Sequence, residues 1–113
     1  MSSLTSRRQQ AIADFAGRLR AVLGQRLVDL RLFGSVARGD AHPDSDIDIL
    51  VIVQASDEER SRLERQIVDV AFDVNLQYDF YISPRVLTPA LLAHPVWGQT
   101  PFLKAIQRES VAL

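Results

Sequence analysis

Apolar residues in the first part of the chain recur at helical spacing. Ile12, Phe15, Ala16, Leu19, Val22 and Leu23 fall on one stripe and predict a helix over residues 6–23. Ser6 with Gln9 has the form of a capping box, and Gly24 is a helix stop. The period then shortens. Residues 26–33, RLVDLRLF, set Leu27, Asp29, Arg31 and Phe33 against Val28, Leu30 and Leu32, a strand with one face less buried than the other. Residues 45–53, SDIDILVIV, predict a second strand whose later half is apolar on both faces, as a central, doubly covered strand is. Over residues 56–77, Leu63, Ile67, Val70, Ala71 and Val74 make one face of a longer helix, opened by the capping-box pair Ser56 and Glu59. Residues 78–86, YDFYISPRV, read as a third strand. Thr88-Pro89 and Thr100-Pro101 each place a capping hydroxyl before a proline, predicting short helices over residues 89–93 and 101–108. The order predicts one α/β domain spanning residues 1–113, a small mixed β-sheet packed with helices.

One feature runs against this pattern. Asp46 and Asp48 open the most apolar strand, although aspartate is depleted in strands and is rarely buried without a partner. Residues two apart in a strand share a face, so the two carboxylates point the same way and repel. A divalent cation relieves that repulsion. Oxygen ligands suit Mg²⁺, which takes one or two carboxylates and completes its shell with water and substrate phosphate. The turn upstream supplies a seat for the phosphate. Gly34 and Ser35 end the first strand, backbone N–H groups at such a turn bind anions, and glycine permits close approach. The Ser35 hydroxyl and Arg38 add donors. A solvent-exposed strand end paired with arginines is the plain alternative for the aspartates, and the glycine turn weighs against it.

Composition narrows the picture only a little. The 113 residues are 47% hydrophobic and 24% charged, as in ordinary globular domains. Net charge is −1, so no strong field for nucleic acid is expected. Cysteine is absent, which excludes disulfides and thiolate metal sites. There is no membrane-spanning apolar run and no apolar signal core behind the first ten residues, so a cytoplasmic protein is expected. His42 and His94 have no metal-ligand spacing, and Trp97 lies in a proline-bounded apolar segment suited to packing.

Gly34-Ser35, ten intervening residues and Asp46-Ile47-Asp48 resemble the signature of the DNA polymerase β-like nucleotidyltransferase superfamily. The stretch LFGSVARGDAHPDSDIDILV is similar to the one-domain minimal nucleotidyltransferases, and the similarity extends to YISPRVLT and the terminal PFLKAIQRESVAL. This resemblance implies a polymerase β palm-like fold. It implies that Gly34 and Ser35 hold the triphosphate of ATP with Arg38 nearby, and that Asp46 and Asp48 coordinate two Mg²⁺ ions. The family adds a third carboxylate from a neighbouring strand. Asp79, at the start of the expected third strand, is the best match, with Asp73 and Asp44 as weaker ones. It further implies transfer of a nucleoside monophosphate to a hydroxyl on a partner protein, as the antitoxin of a HEPN-domain toxin. Two alternatives stand beside it: an antitoxin that binds nucleotide but acts by contact, and a small-molecule nucleotidyltransferase of the antibiotic-modifying type. The short chain leaves base and acceptor recognition to a partner protein or a homo-oligomer.

Overall fold

A computed structural model describes residues 3–113, with side chains from residue 6 onward. Helix α1 (Ser3–Leu23) leads through a short 3-10 turn into strand β1 (Leu27–Phe33). Helix α2 (Gly34–Arg38) and a polar loop return the chain to strand β2 (Ile47–Val53). The long helix α3 (Asp57–Tyr78) then leads to β3 (Ile82–Leu87), followed by α4 (Pro89–Leu92), α5 (Pro101–Glu109) and a two-residue strand β4 (Val111–Ala112). The strands form one mixed sheet in the order β3-β2-β1-β4. β1 runs antiparallel to β2 and β4, and β3 runs parallel to β2. No described helix is long and apolar enough to cross a membrane.

The alternation of side chains along β2 divides the interior. Ile47, Ile49, Val51 and Val53 face α1 and α3, where they join Phe15, Leu19, Ile67 and Val74 in the main core. Leu50 and Ile52 face the other way, against Leu103 and Ile106 of α5. Each fully buried aliphatic side chain of this kind contributes about 1.5–3 kcal/mol. β2 is buried at every position except Asp48, the one place where the central strand meets solvent.

The caps expected from the sequence form. Ser56 accepts from the Glu59 amide, and Glu59 accepts in return from the Ser56 amide, both at 3.3 Å. Thr88 and Thr100 cap α4 and α5 ahead of their prolines. Two expectations are corrected. α1 already runs from Ser3, so Ser6 lies inside the helix and is not its cap. α3 continues through Tyr78 and β3 begins only at Ile82, so the expected third strand starts four residues too early. The reason is local. Asn75 ties the helix end to the strand start, its Oδ1 accepting from the Ile82 amide at 2.7 Å. Asp79 then turns the chain in the left-handed region at φ 59°.

Candidate nucleotide site

The site assembles where three strand ends meet. Antiparallel pairing sets Phe33, the last residue of β1, opposite Asp48 of β2. Gly34 therefore turns directly beside the Asp48 carboxylate. Its φ of 74° lies in the left-handed region, and a Cβ there would overlap Asp48 Oδ2. Both facts require glycine, one for the backbone and one for the carboxylate. α2 carries Ser35 and Arg38 away from this turn. Gly39 closes it in the left-handed conformation, and the Asp40 amide donates to the Ser35 carbonyl at 3.1 Å.

Asp46 lies one residue ahead of β2, and the ladder already reaches this end because the Ile47 amide donates to the Tyr81 carbonyl at 2.8 Å. Asp46 is exposed, whereas Asp48 is half-buried. Burial pushes the Asp48 carboxyl above its ordinary range, and the Asp46 charge pushes it further. Arg85 and Arg38 pull in the opposite direction. The two aspartates thus form the like-charged pair that the strand pattern implied, beside a turn shaped to leave them room.

Arg38 stands at the rim. Its guanidinium reaches Asp40 Oδ2 at 3.4 Å and Glu109 Oε2 at 3.7 Å, which ties α2 to the end of α5. Between these helices lies a cleft of about 240 Å³ lined by Phe33, Gly34, Arg38, Phe102, Ile106 and Glu109. Phe102 meets Phe33 edge to face, with ring centroids 6.2 Å apart.

Asp79 does not join the group on the sheet. It is the exposed C-cap of α3, its amide donating to the Asn75 carbonyl, and it borders a shallow depression with Pro43, Asp44, Ser45, Phe80 and Tyr81. The β3 residues that share a face with Asp48 are others. The parallel register sets Ser83 beside Asp48 and Arg85 beside Leu50. Arg85 stacks its guanidinium over the Phe102 ring, 5.6 Å from the centroid, and its charge acts on Asp48. Sequence reasoning passed over both residues. The signal was present in their parity with Leu87 on β3, but only the position of the strand start makes it legible.

Among the described residues, no group of three or more His, Cys, Asp or Glu side chains is placed to hold a metal ion. Asp46 and Asp48 still offer a fitting donor set for one Mg²⁺: two hard oxygen ligands at an open strand end, one of them costly to keep charged. The face of β3 beside them carries the Ser83 hydroxyl and the Arg85 guanidinium.

Comparison with known proteins identifies the family and the fold. Residues 15–100 match the nucleotidyltransferase domain family. An inferred protein adenylyltransferase of Methanocaldococcus jannaschii is 33% identical over 75 residues, covering 66% of this chain and 74% of that protein. A solved structure described as a minimal nucleotidyltransferase superposes with a TM-score of 0.58 at 26% identity, over 99% of this chain and 97% of the other. A chain from a toxin–antitoxin crystal structure with AMP-PNP has the same fold, with a TM-score of 0.52 at 19% identity over 87% of this chain and 68% of that one. The fold is that of the polymerase β-like nucleotidyltransferases. Because the matched segment contains both the glycine turn and the aspartate pair, the chain belongs to the nucleotidyltransferase domain family and is a nucleotidyltransferase.

Proposed function

We propose that the protein transfers AMP from ATP to a hydroxyl group on a partner protein, and that the partner is the HEPN-domain toxin of a toxin–antitoxin pair. One observation carries the chemical part: the Asp48 carboxylate lies in the space that the missing Cβ of Gly34 leaves free. Phosphate seat and metal ligands therefore occupy one place. Gly34 and Ser35 hold the phosphates through backbone amides and the Ser35 hydroxyl, and Arg38 adds charge at the rim. Asp46 and Asp48 hold Mg²⁺, which when bound neutralises charge on the phosphates. The acceptor hydroxyl oxygen forms a bond to the α-phosphorus and gives up its proton to solvent water, the bond from the α-phosphorus to the bridging oxygen breaks, and pyrophosphate leaves. The main core behind Ile47 and Ile49 fixes the carboxylates while this happens.

Support for a protein acceptor comes from the surroundings of the site. Phe102 is exposed at the cleft that borders it, and Val96 and Trp97 are exposed a few residues earlier in the chain, apolar side chains a partner can cover. A relative is named as a protein adenylyltransferase, and a structural neighbour is a chain of a toxin–antitoxin crystal structure with AMP-PNP.

A second reading is favoured by Arg85. With a guanidinium and no carboxylate on the β3 face beside Asp48, the chain binds nucleotide tightly but transfers poorly, and acts as an antitoxin by contact. Co-expression with the product of the adjacent gene separates the two readings. An AMP-sized mass gain on that product with the wild type, absent with Asp48→Asn, is the expected result. Stable co-purification without any gain in mass would establish the contact reading. In that case Arg85→Asp should restore transfer.

A further inference from the structure

The outward side of α3 carries a stripe that the nucleotide site does not use. Arg65, Val68, Phe72 and Leu76 follow one another along the helix, and Asp79 stands at its cap. The spacings are three, four, four and three, so the stripe is symmetric about Phe72. Val68, Phe72 and Leu76 are 48%, 61% and 70% exposed, while Leu63, Ile67, Ala71 and Val74 on the opposite side are buried. The ends of the stripe carry opposite charges. Arg65 and Asp79 are both exposed, and neither belongs to an ion pair among the described residues.

A stripe that is symmetric in spacing, apolar within and oppositely charged at its ends is complementary to itself when reversed. Two copies of α3 laid antiparallel about a two-fold axis through Phe72 bring Val68 of each against Leu76 of the other. Arg65 of each then meets Asp79 of the other, and the two Phe72 rings meet on the axis. Such an interface is isologous, using the same patch twice. The surface has the required relief. An open depression of about 440 Å³, lined by Ser61, Glu64, Arg65, Val68 and Asp69, lies where Leu76 and Asp79 of a second copy fall. Glu64 in that depression is paired with Arg60 at 3.0 Å, which leaves Arg65 free to take the incoming carboxylate.

We propose that α3 is the self-association surface of this protein, and that its occupant is a second copy of the chain in antiparallel register. One helix face is at the small end of specific interfaces, so the dimer is weak and reversible. It leaves the nucleotide site open in both copies, because Asp48 faces the other side of the sheet. The inference does not depend on the transferase reading.

Sedimentation velocity of the full chain, from micromolar to millimolar concentration, tests it. The wild type should move from monomer towards dimer as concentration rises. Phe72→Asp should weaken the dimer at least about thirtyfold, as loss of a central aromatic anchor does. Arg65→Asp should weaken it and Asp79→Arg should weaken it, while the double exchange should restore it, with circular dichroism showing each variant folded. A wild type that stays monomeric at the highest concentration overturns the proposal and leaves the stripe to a different helical partner. A dimer that survives Phe72→Asp, or a double exchange that fails to restore it, overturns this interface.

Discussion

The two faces of the sheet are built to different standards. Among the described residues, seventeen buried ones fill the face towards α1 and α3, whereas four fill the face towards α5. Among the described residues no polar residue is buried on the first face; the second carries the half-buried Asp48 and Ser83 and the exposed Arg85 within a few residues of Leu50. β2 serves both at once, since its odd-numbered residues anchor in the deep core and its even-numbered ones emerge towards the site. Charged groups can be held in place on a thin, half-open layer because the thick layer behind them is buried and apolar. Charge at a fixed position is what phosphate chemistry demands.

This contrast can be broken most directly by cavities. Ile49→Ala, in the deep face, should destabilise the protein by about 2–5 kcal/mol, and Leu103→Ala, on the thin face, should fall at the lower end of that range because α5 can settle. Chemical denaturation of the two variants compares them, and equal losses would remove the distinction. Gly34→Ala has a smaller effect on folding, about 1–3 kcal/mol of backbone strain. It should nevertheless abolish nucleotide binding by calorimetry, since the added methyl displaces the Asp48 carboxylate. Binding that survives would separate the glycine from the site.

The smallest effect concerns pH. The Asp48 carboxyl is raised in the folded protein, mainly by burial and then by Asp46, so the folded state holds its proton more tightly than the unfolded chain does. Asp48 therefore costs nothing below the ordinary aspartate range, and its full cost appears once pH has risen through the raised value. Asp48→Asn should increase thermal stability at neutral pH and change it little in acid. Mg²⁺ should stabilise the wild type and not this variant. An Asp48→Asn protein less stable at neutral pH would mean that the carboxylate is structural.

Much of this architecture can be read in the sequence because local rules agree there with the tertiary outcome. The Ser56–Glu59 box, the Thr-Pro helix starts, the Gly34 turn and the parity of Asp46 and Asp48 are all short-range signals, and each appears in the structure. The third strand was misplaced for a physical reason. Tyr78, Phe80 and Tyr81 have strand-forming side chains, but Tyr78 continues the buried helical face of α3, its hydroxyl donating to Asp14 at 3.0 Å. Tertiary contact outweighed propensity over those few residues. That displacement took Asp79 out of the sheet, and it hid Ser83 and Arg85, whose place beside Asp48 follows from a parallel register set by a 22-residue crossover helix. No local pattern announces such a register.

The last residues of the chain have a consequence of a different kind. Val111 and Ala112 pair with Leu32 and Arg31, and the Leu113 amide donates to the Leu30 carbonyl at 3.0 Å. Arg31 holds the Ser110 carbonyl and Arg20 holds that of Leu113. These contacts keep a short stopper on the outer edge of β1. Trimming it would uncover a row of backbone donors and acceptors next to the main core, an open template for any extended strand. Residues 111–113 thus cover a stretch of β1 edge that would otherwise be open to templated pairing.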